Sequence, residues 1–157
     1  MHFQDFADHD RFVFGDQVIQ AQKPLPGVVD YLNDAKRLGL KLAIASSSDR
    51  NWVNTHAKRI GVFDYFDRVI TSEDVAIGRI KPNPDLFLTA LNRLQVQKEA
   101  AIVFEDSPNG VKAANRAGIF VVAVPNSVTA KLSMQGANMI LSSLSEMSLS
   151  QLLDTVK

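Results

Sequence analysis

A chain of 157 residues with 46% apolar and 22% charged residues is long enough for one domain with a real core, and its composition is that of a globular chain. Seventeen basic residues balance seventeen acidic ones, which removes any electrostatic reason to expect nucleic acid or an anionic membrane as partner. Cysteine is absent, so disulfides and thiolate metal sites are excluded, in keeping with a cytoplasmic location. No apolar run reaches the roughly 18 residues that a membrane span needs, and "MHFQDFADHD" is too acidic and polar for a signal peptide.

There is no internal repeat and no linker. The first dozen residues lack a clear period, Phe12 to Phe14 form a short apolar run, and Pro24 and Pro26 mark a turn. Val28, Tyr31, Leu32, Ala35 and Leu38 then follow helix spacing, with Gly39 as a C-terminal stop. Leu40 to Ser46 reads as a buried strand. A helix from about Arg50 to Ile60 follows, with Val53, Ala57 and Ile60 on one face and Gly61 after it. Arg68 to Ser72 is a second strand. The "KPNP" stretch sets up another helix, with Asn83 as N-cap, Pro84 at the first helical position and Phe87, Leu91 and Leu94 as its stripe. Ala100 to Phe104 is a third strand, Pro108 to Ala117 a helix closed by Gly118, and Phe120 to Val124 a fourth strand. "MILSS" reads as a short fifth strand before a final helix near Leu149 to Val156.

Strands alternating with helices through short loops predict an α/β domain with a mainly parallel sheet and helices on both faces. Ligands of such sheets bind beyond the carboxyl ends of the strands. Three polar stretches fall there: "SSSD" after the first strand, "TSED" after the second and "EDSPNG" after the third. Lys81 lies in the loop that follows "TSED". One shared site is therefore expected.

Each part has a plain alternative. Ser46 at a strand end can hold a phosphate oxygen together with free N–H groups of the following helix, or the serines can simply cap that helix. Lys81, preceding a proline and so biased to an extended backbone, can offset charge during phosphoryl transfer, or it can be a solvated surface lysine. Glu105 and Asp106 supply the hard oxygens that Mg²⁺ prefers, or one of them caps the next helix. Ser107 can cap that helix unaided, which leaves the acids to the metal. His2, Asp5, Asp8, His9 and Asp10 resemble a metal cluster but belong to a terminal segment with no element to fix them. His56 is expected at the surface, and Trp52 either lines the site mouth or packs. There is no P-loop and no G-x-G-x-x-G.

Taken in order, "LKLAIASSSDRN", "GRIKPNPDLFLTAL" and "AIVFEDSPNGVKAANRAGIFVVAVPN" resemble motifs two, three and four of the haloacid dehalogenase superfamily. The nearest group is that of the β-phosphoglucomutase-like phosphatases and phosphomutases. "LPGVVDYLNDAKRLG" is similar to the helix that leads from cap to core in that group, and the likeness runs from about Pro24 to Pro125. It implies a Rossmann-like core that catalyses Mg²⁺-dependent phosphoryl transfer on a small phosphorylated metabolite, such as a sugar phosphate, through an aspartyl-phosphate. It further implies that Ser46 binds the phosphoryl group and that Lys81 bridges phosphate and nucleophile. Asp106 and Glu105 would hold Mg²⁺, with Asp106 the more direct ligand, and Ser47 and Asn109 would assist in binding phosphate.

The family's motif one, an apolar strand ending in D-x-D, is where this chain departs. Asp8-His9-Asp10 has the spacing without a buried strand. "FVFGDQVI" has the apolar frame with Gly15 and Gln17 in place of the two acids. The expectation is residues 1–23 as a cap remnant or irregular segment, and residues 24–157 as a partial core that lacks its central strand. Such a chain would be inactive alone. It would act as a phosphate- or metal-binding remnant, or complement a separate N-terminal half. Its open sheet edge would favour self-association.

Overall fold

Alternation of short apolar runs with amphipathic stretches sets the order of elements in the computed structural model, which describes residues 21–156. Helix α1 (Val28–Arg37) is followed by strand β1 (Ala43–Ala45), α2 (Arg50–Arg59), β2 (Arg68–Ile70), α3 (Asp85–Leu94), β3 (Ile102–Glu105), α4 (Pro108–Ala117), β4 (Phe120–Ala123), β5 (Met139–Ile140) and α5 (Leu149–Thr155). Residues 8–17, which carry the two motif-one candidates, lie outside the described residues, as do the other residues of the segment 1–20.

All pairings among the described strands are parallel. β1 pairs with β2 in the register Ile44 to Val69, and β3 pairs with β4 in the register Phe104 to Val122. β5 adds to β4 through Ala123 and Ile140. The described strands thus make two sheets, β1-β2 and β3-β4-β5. Alternation along β4 divides the core by face. Val121 and Ala123 pack with Phe87 of α3 and with Val111 and Ala114 of α4. Val122 packs on the opposite side with Tyr31 and Ala35 of α1 and Leu149 and Leu152 of α5. Leu32 of α1 joins Ala57 of α2 on that same side. Helix α3 holds the two sheets together: Leu86 and Ala90 pack on Ile70 of β2, while Phe87 reaches Val103 of β3.

Several boundaries differ from the sequence reading for local reasons. The first strand is shorter than Leu40 to Ser46. The N–H of Leu40 closes α1 on Ala35 O, and that of Leu42 is taken by Asp67 Oδ2. The serines do not cap α2. Asp49 does, accepting from the N–H of Trp52 at 2.8 Å. Asn83 is not the cap of α3 either. Pro84 occupies the N-cap position, and the Asn83 amide donates to the carbonyls of Gly78 and Ile80. Ser107 caps α4 as expected, accepting from the N–H of Gly110 with Pro108 in the first turn.

The loop that carries Ser46 is tied to the end of β2. Ser72 donates to the Ser48 carbonyl from both its N–H and its hydroxyl, and Arg50 N–H donates to Glu73. Behind these contacts sits Asp74, whose side chain is only 6% exposed and lies between Arg50 at 2.5 Å and Arg93 at 2.8 Å. It also accepts from the N–H and hydroxyl of Thr71, which is fully buried. Burial pushes the Asp74 carboxyl upward, but the Thr71 N–H, Arg93, the Thr71 hydroxyl and Arg50 together bring it below the usual range. A carboxyl depressed on folding adds stability above its unfolded pKa, and that stability is lost as the pH falls through the folded value. Asp74→Asn should therefore cost about 2 kcal/mol at neutral pH in urea denaturation, as expected for hydrogen bonds to a charged group. The gap from wild type should shrink below about pH 4; a gap constant down to pH 2 would contradict this account.

Candidate phosphate and metal site

The rim beyond the strand ends is assembled by side chains that the fold brings from distant points in sequence. Lys81 stands in the loop between β2 and α3 and is joined to Pro82 by a cis peptide bond. Its ammonium pairs with Glu105 Oε1 at the carboxyl end of β3. Both are largely withdrawn from water, with side chains 14% and 6% exposed. The ammonium also lies 4.9 Å from the centre of the Phe87 ring, a cation–π contact. Lys81 is thus no solvated surface lysine.

Strand alternation separates the two neighbouring acids. Glu105 turns inward with Val103, whereas Asp106 is exposed. The second oxygen of Glu105 accepts from the Ser107 hydroxyl at 3.1 Å, and that hydroxyl accepts in turn from Gly110 N–H. A continuous path of hydrogen bonds therefore runs from the first turn of α4 through Ser107 and Glu105 to Lys81. The carboxylate lies flat against α4 because residue 110 has no side chain: a Cβ there would fall 1.7 Å from Glu105 Oε2. Asp106 makes a different bond, accepting from Asn126 Nδ2 at 2.7 Å through Oδ2.

Ser46 and Ser47 are half-buried at the end of β1. Ser46 N–H continues the ladder to Ile70 O, and its hydroxyl accepts from Ser48 N–H at 3.1 Å. Ser46 follows the carboxyl end of β1 as Asp106 follows that of β3. β1 and β2 run parallel, and the loop leaving β2 carries Lys81 to the end of β3. Among the described residues, no hydrogen bond links these serines to Lys81 or the acids. Asn109 is exposed in the first turn of α4. Beside Asp106 a cavity of about 500 Å³ opens between Phe104, Leu25, Val28, Val124, Asn126 and Leu144. Trp52 does not pack in the core; it is exposed and contacts His56 in a tilted ring pair with centres 4.0 Å apart.

The oxygen donors suit Mg²⁺, a hard cation that keeps several waters. Asp106 Oδ1 accepts no hydrogen bond among the described residues and stands open at the rim. Glu105 is already held by Lys81 and Ser107. No group of three or more His, Asp or Glu side chains forms a metal cluster among the described residues.

Residues 3–118 match the family model of the haloacid dehalogenase-like hydrolases. The chain belongs to that family. It is 48% identical over 136 residues to YhcW of Bacillus subtilis (strain 168), an alignment that covers 87% of this chain and 61% of YhcW. It is 39% identical over 97 residues to the phosphorylated carbohydrates phosphatase of Thermotoga maritima, covering 62% of this chain and 44% of that protein. The crystal structure of mutant CbbY from Rhodobacter sphaeroides in complex with xylulose-(1,5)bisphosphate superposes with a TM-score of 0.79 at 32% identity, covering 91% of this chain and 64% of CbbY. The chain thus spans less than two thirds of each of these relatives. No helix among the described residues is long and apolar enough to cross a membrane.

The contribution of Ser107 and Gly110 to the site escaped the sequence reading, which treated Ser107 only as a helix cap and did not single out Gly110. The "S-P-N-G" spacing after an acid pair carries that signal, because a residue without a side chain one turn into the helix leaves room for an acid behind it. Gly110→Ala should force Glu105 off its seat and open the bond to Lys81. Helix propensity gains up to about 1 kcal/mol, against about 1–3 kcal/mol for overpacking. A net loss of about 1 kcal/mol is expected in urea denaturation, with the Lys81 ammonium resonance displaced in NMR spectra. Equal or higher stability with that resonance unmoved would contradict the packing account.

Proposed function

We propose that this chain carries the phosphate- and Mg²⁺-binding half of a phosphatase- or phosphomutase-like site acting on a small phosphorylated metabolite. The observation that carries the reading is the withdrawn Lys81–Glu105 pair beside the open Asp106 carboxylate on a single rim. In this reading Lys81, held by Glu105 and Phe87, presents a fixed ammonium that offsets negative charge on the phosphoryl group. The Ser46 hydroxyl, with Ser47 and the loop N–H groups leading into α2, receives a phosphoryl oxygen, and Asn109 assists from α4. Asp106, with Glu105 behind it, holds Mg²⁺, which when bound neutralises phosphoryl oxygens as a Lewis acid. The names of the Thermotoga relative and of the CbbY complex, a carbohydrate phosphatase and a sugar bisphosphate complex, support the substrate class.

The attacking group in this mechanism is an aspartate that accepts the phosphoryl group to form an aspartyl-phosphate. None of the described residues is proposed for that task, and Gly15 and Gln17 stand in the apolar frame where such acids would fall. We therefore propose that the chain by itself binds without turnover. A second reading, that it completes its site with a separate N-terminal segment, draws on the strand pairing. Among the described residues β1 and β3 each have a single neighbour, which leaves one edge of each for another strand or for self-association.

With p-nitrophenyl phosphate and Mg²⁺, no turnover is expected. Mg²⁺ and inorganic phosphate together should raise the thermal midpoint, since a ligand at a hundredfold excess over its Kd adds about 2.7 kcal/mol. Asp106→Ala and Lys81→Ala should abolish that rise. Turnover that disappears in Asp106→Ala would sink the inactive reading, and a midpoint indifferent to both ligands would sink the binding site.

A further inference from the structure

The bond from Asn126 to Asp106 has a direction that the surrounding turn dictates. Asn126 follows β4, 20 residues after Asp106, and opens a tight turn. Its side-chain oxygen accepts from the N–H of Val128 at 2.8 Å and from that of Thr129 at 3.1 Å. Its own N–H donates to the Thr129 hydroxyl at 3.0 Å, and its carbonyl accepts from Thr129 and Ala130. Two backbone donors aimed at one side-chain atom identify that atom as the oxygen, because a flipped amide would set N–H against N–H. The NH₂ group must then face outward from the turn, and it meets Asp106 Oδ2 at 2.7 Å.

The donor is neutral. Lys81, the cation of the site, is committed to Glu105, and one oxygen of Asp106 is fixed by the neutral Asn126 amide. The other oxygen is left open at the rim, beside the cavity that both residues line. A carboxylate at a strand end otherwise has free rotation about two side-chain bonds.

We propose that Asn126 is a positioning residue that sets the direction of the Asp106 carboxylate, so that Oδ1 is presented to a divalent cation. The proposal deepens the binding reading above and rests on it for the cation, but not for the orienting bond. Ligand-orienting partners of this kind typically change metal affinity by about 10–100-fold when removed. The turn should survive Asn126→Ser, because a serine hydroxyl accepts the same backbone N–H groups, whereas it offers no NH₂ to reach Asp106.

The test uses the whole metal-free chain labelled with ¹⁵N, with Mn²⁺ as a separate probe. In Asp106→Ala the Asn126 side-chain amide resonances should move while the backbone amides of Val128 and Thr129 stay in place. Resonances that do not move would overturn the proposal. Mn²⁺ affinity, read by water-proton relaxation, should fall about tenfold in Asn126→Ser at an unchanged thermal midpoint; undiminished affinity would overturn it as well. If wild type binds no Mn²⁺ but the amide response is present, the orienting bond stands and the metal reading of Asp106 fails.

Discussion

One ion pair joins the loop that leaves one sheet of this molecule to a strand end of the other. Lys81 comes from the loop after β2, and Glu105 closes β3. These strands lie in different sheets, and among the described residues no ladder of backbone hydrogen bonds connects them. Apolar packing through α3 brings the sheets together, but such packing fixes distance better than direction. A withdrawn ion pair is a poor source of net stability, because desolvation offsets most of its attraction. Its value here is registry: the ammonium is stationed at a defined point on the rim by two contacts, the Phe87 ring and a hydrogen-bonded carboxylate.

The neighbouring acids illustrate how a strand end assigns roles. Two adjacent carboxylates would repel if they shared a space, and the pleat sends them to opposite sides. Glu105 goes inward, where a cation and a hydroxyl satisfy it. Asp106 goes outward, where a neutral amide holds one oxygen and leaves the other open. The same alternation in β4 separates the α3/α4 side of the core from the α1/α5 side. The chemical division at the rim and the packing division in the core thus have one origin.

Much of the architecture is legible in sequence because local signals agree with one another. Gly39, Gly61 and Gly118 all adopt positive φ where the helix patterns end, and Ser107 with Pro108 starts α4 where the spacing places it. The strand-end positions of Ser46, Glu105 and Asp106 and the loop position of Lys81 follow from the same pattern. What could not be read is pairing. Nothing local says that Lys81 meets Glu105 rather than Asp106, since that depends on the course of a loop whose partner is 24 residues away. The capping of α2 was likewise hidden: "SSSD" offers four competent caps, and the choice of Asp49 depends on where the chain leaves β1. The helix after "KPNP" begins later than its composition suggests because Asn83 spends its amide on the preceding loop.

The seat of Glu105 on Gly110 sets a rule for how a chain of this design can vary. The space between β3 and the first turn of α4 is shared by the side chains of residues 105 and 110, and Glu105 takes all of it. A larger residue at 110 is compatible with the same backbone if the Glu105 carboxylate swings off its seat, or if residue 105 gives up length, as an aspartate would. A shorter acid draws its carboxylate back from Lys81, so the lysine loop would have to follow it. The two positions should therefore change in concert across relatives, and a family member with a side chain at the position of Gly110 would be expected to place its lysine differently.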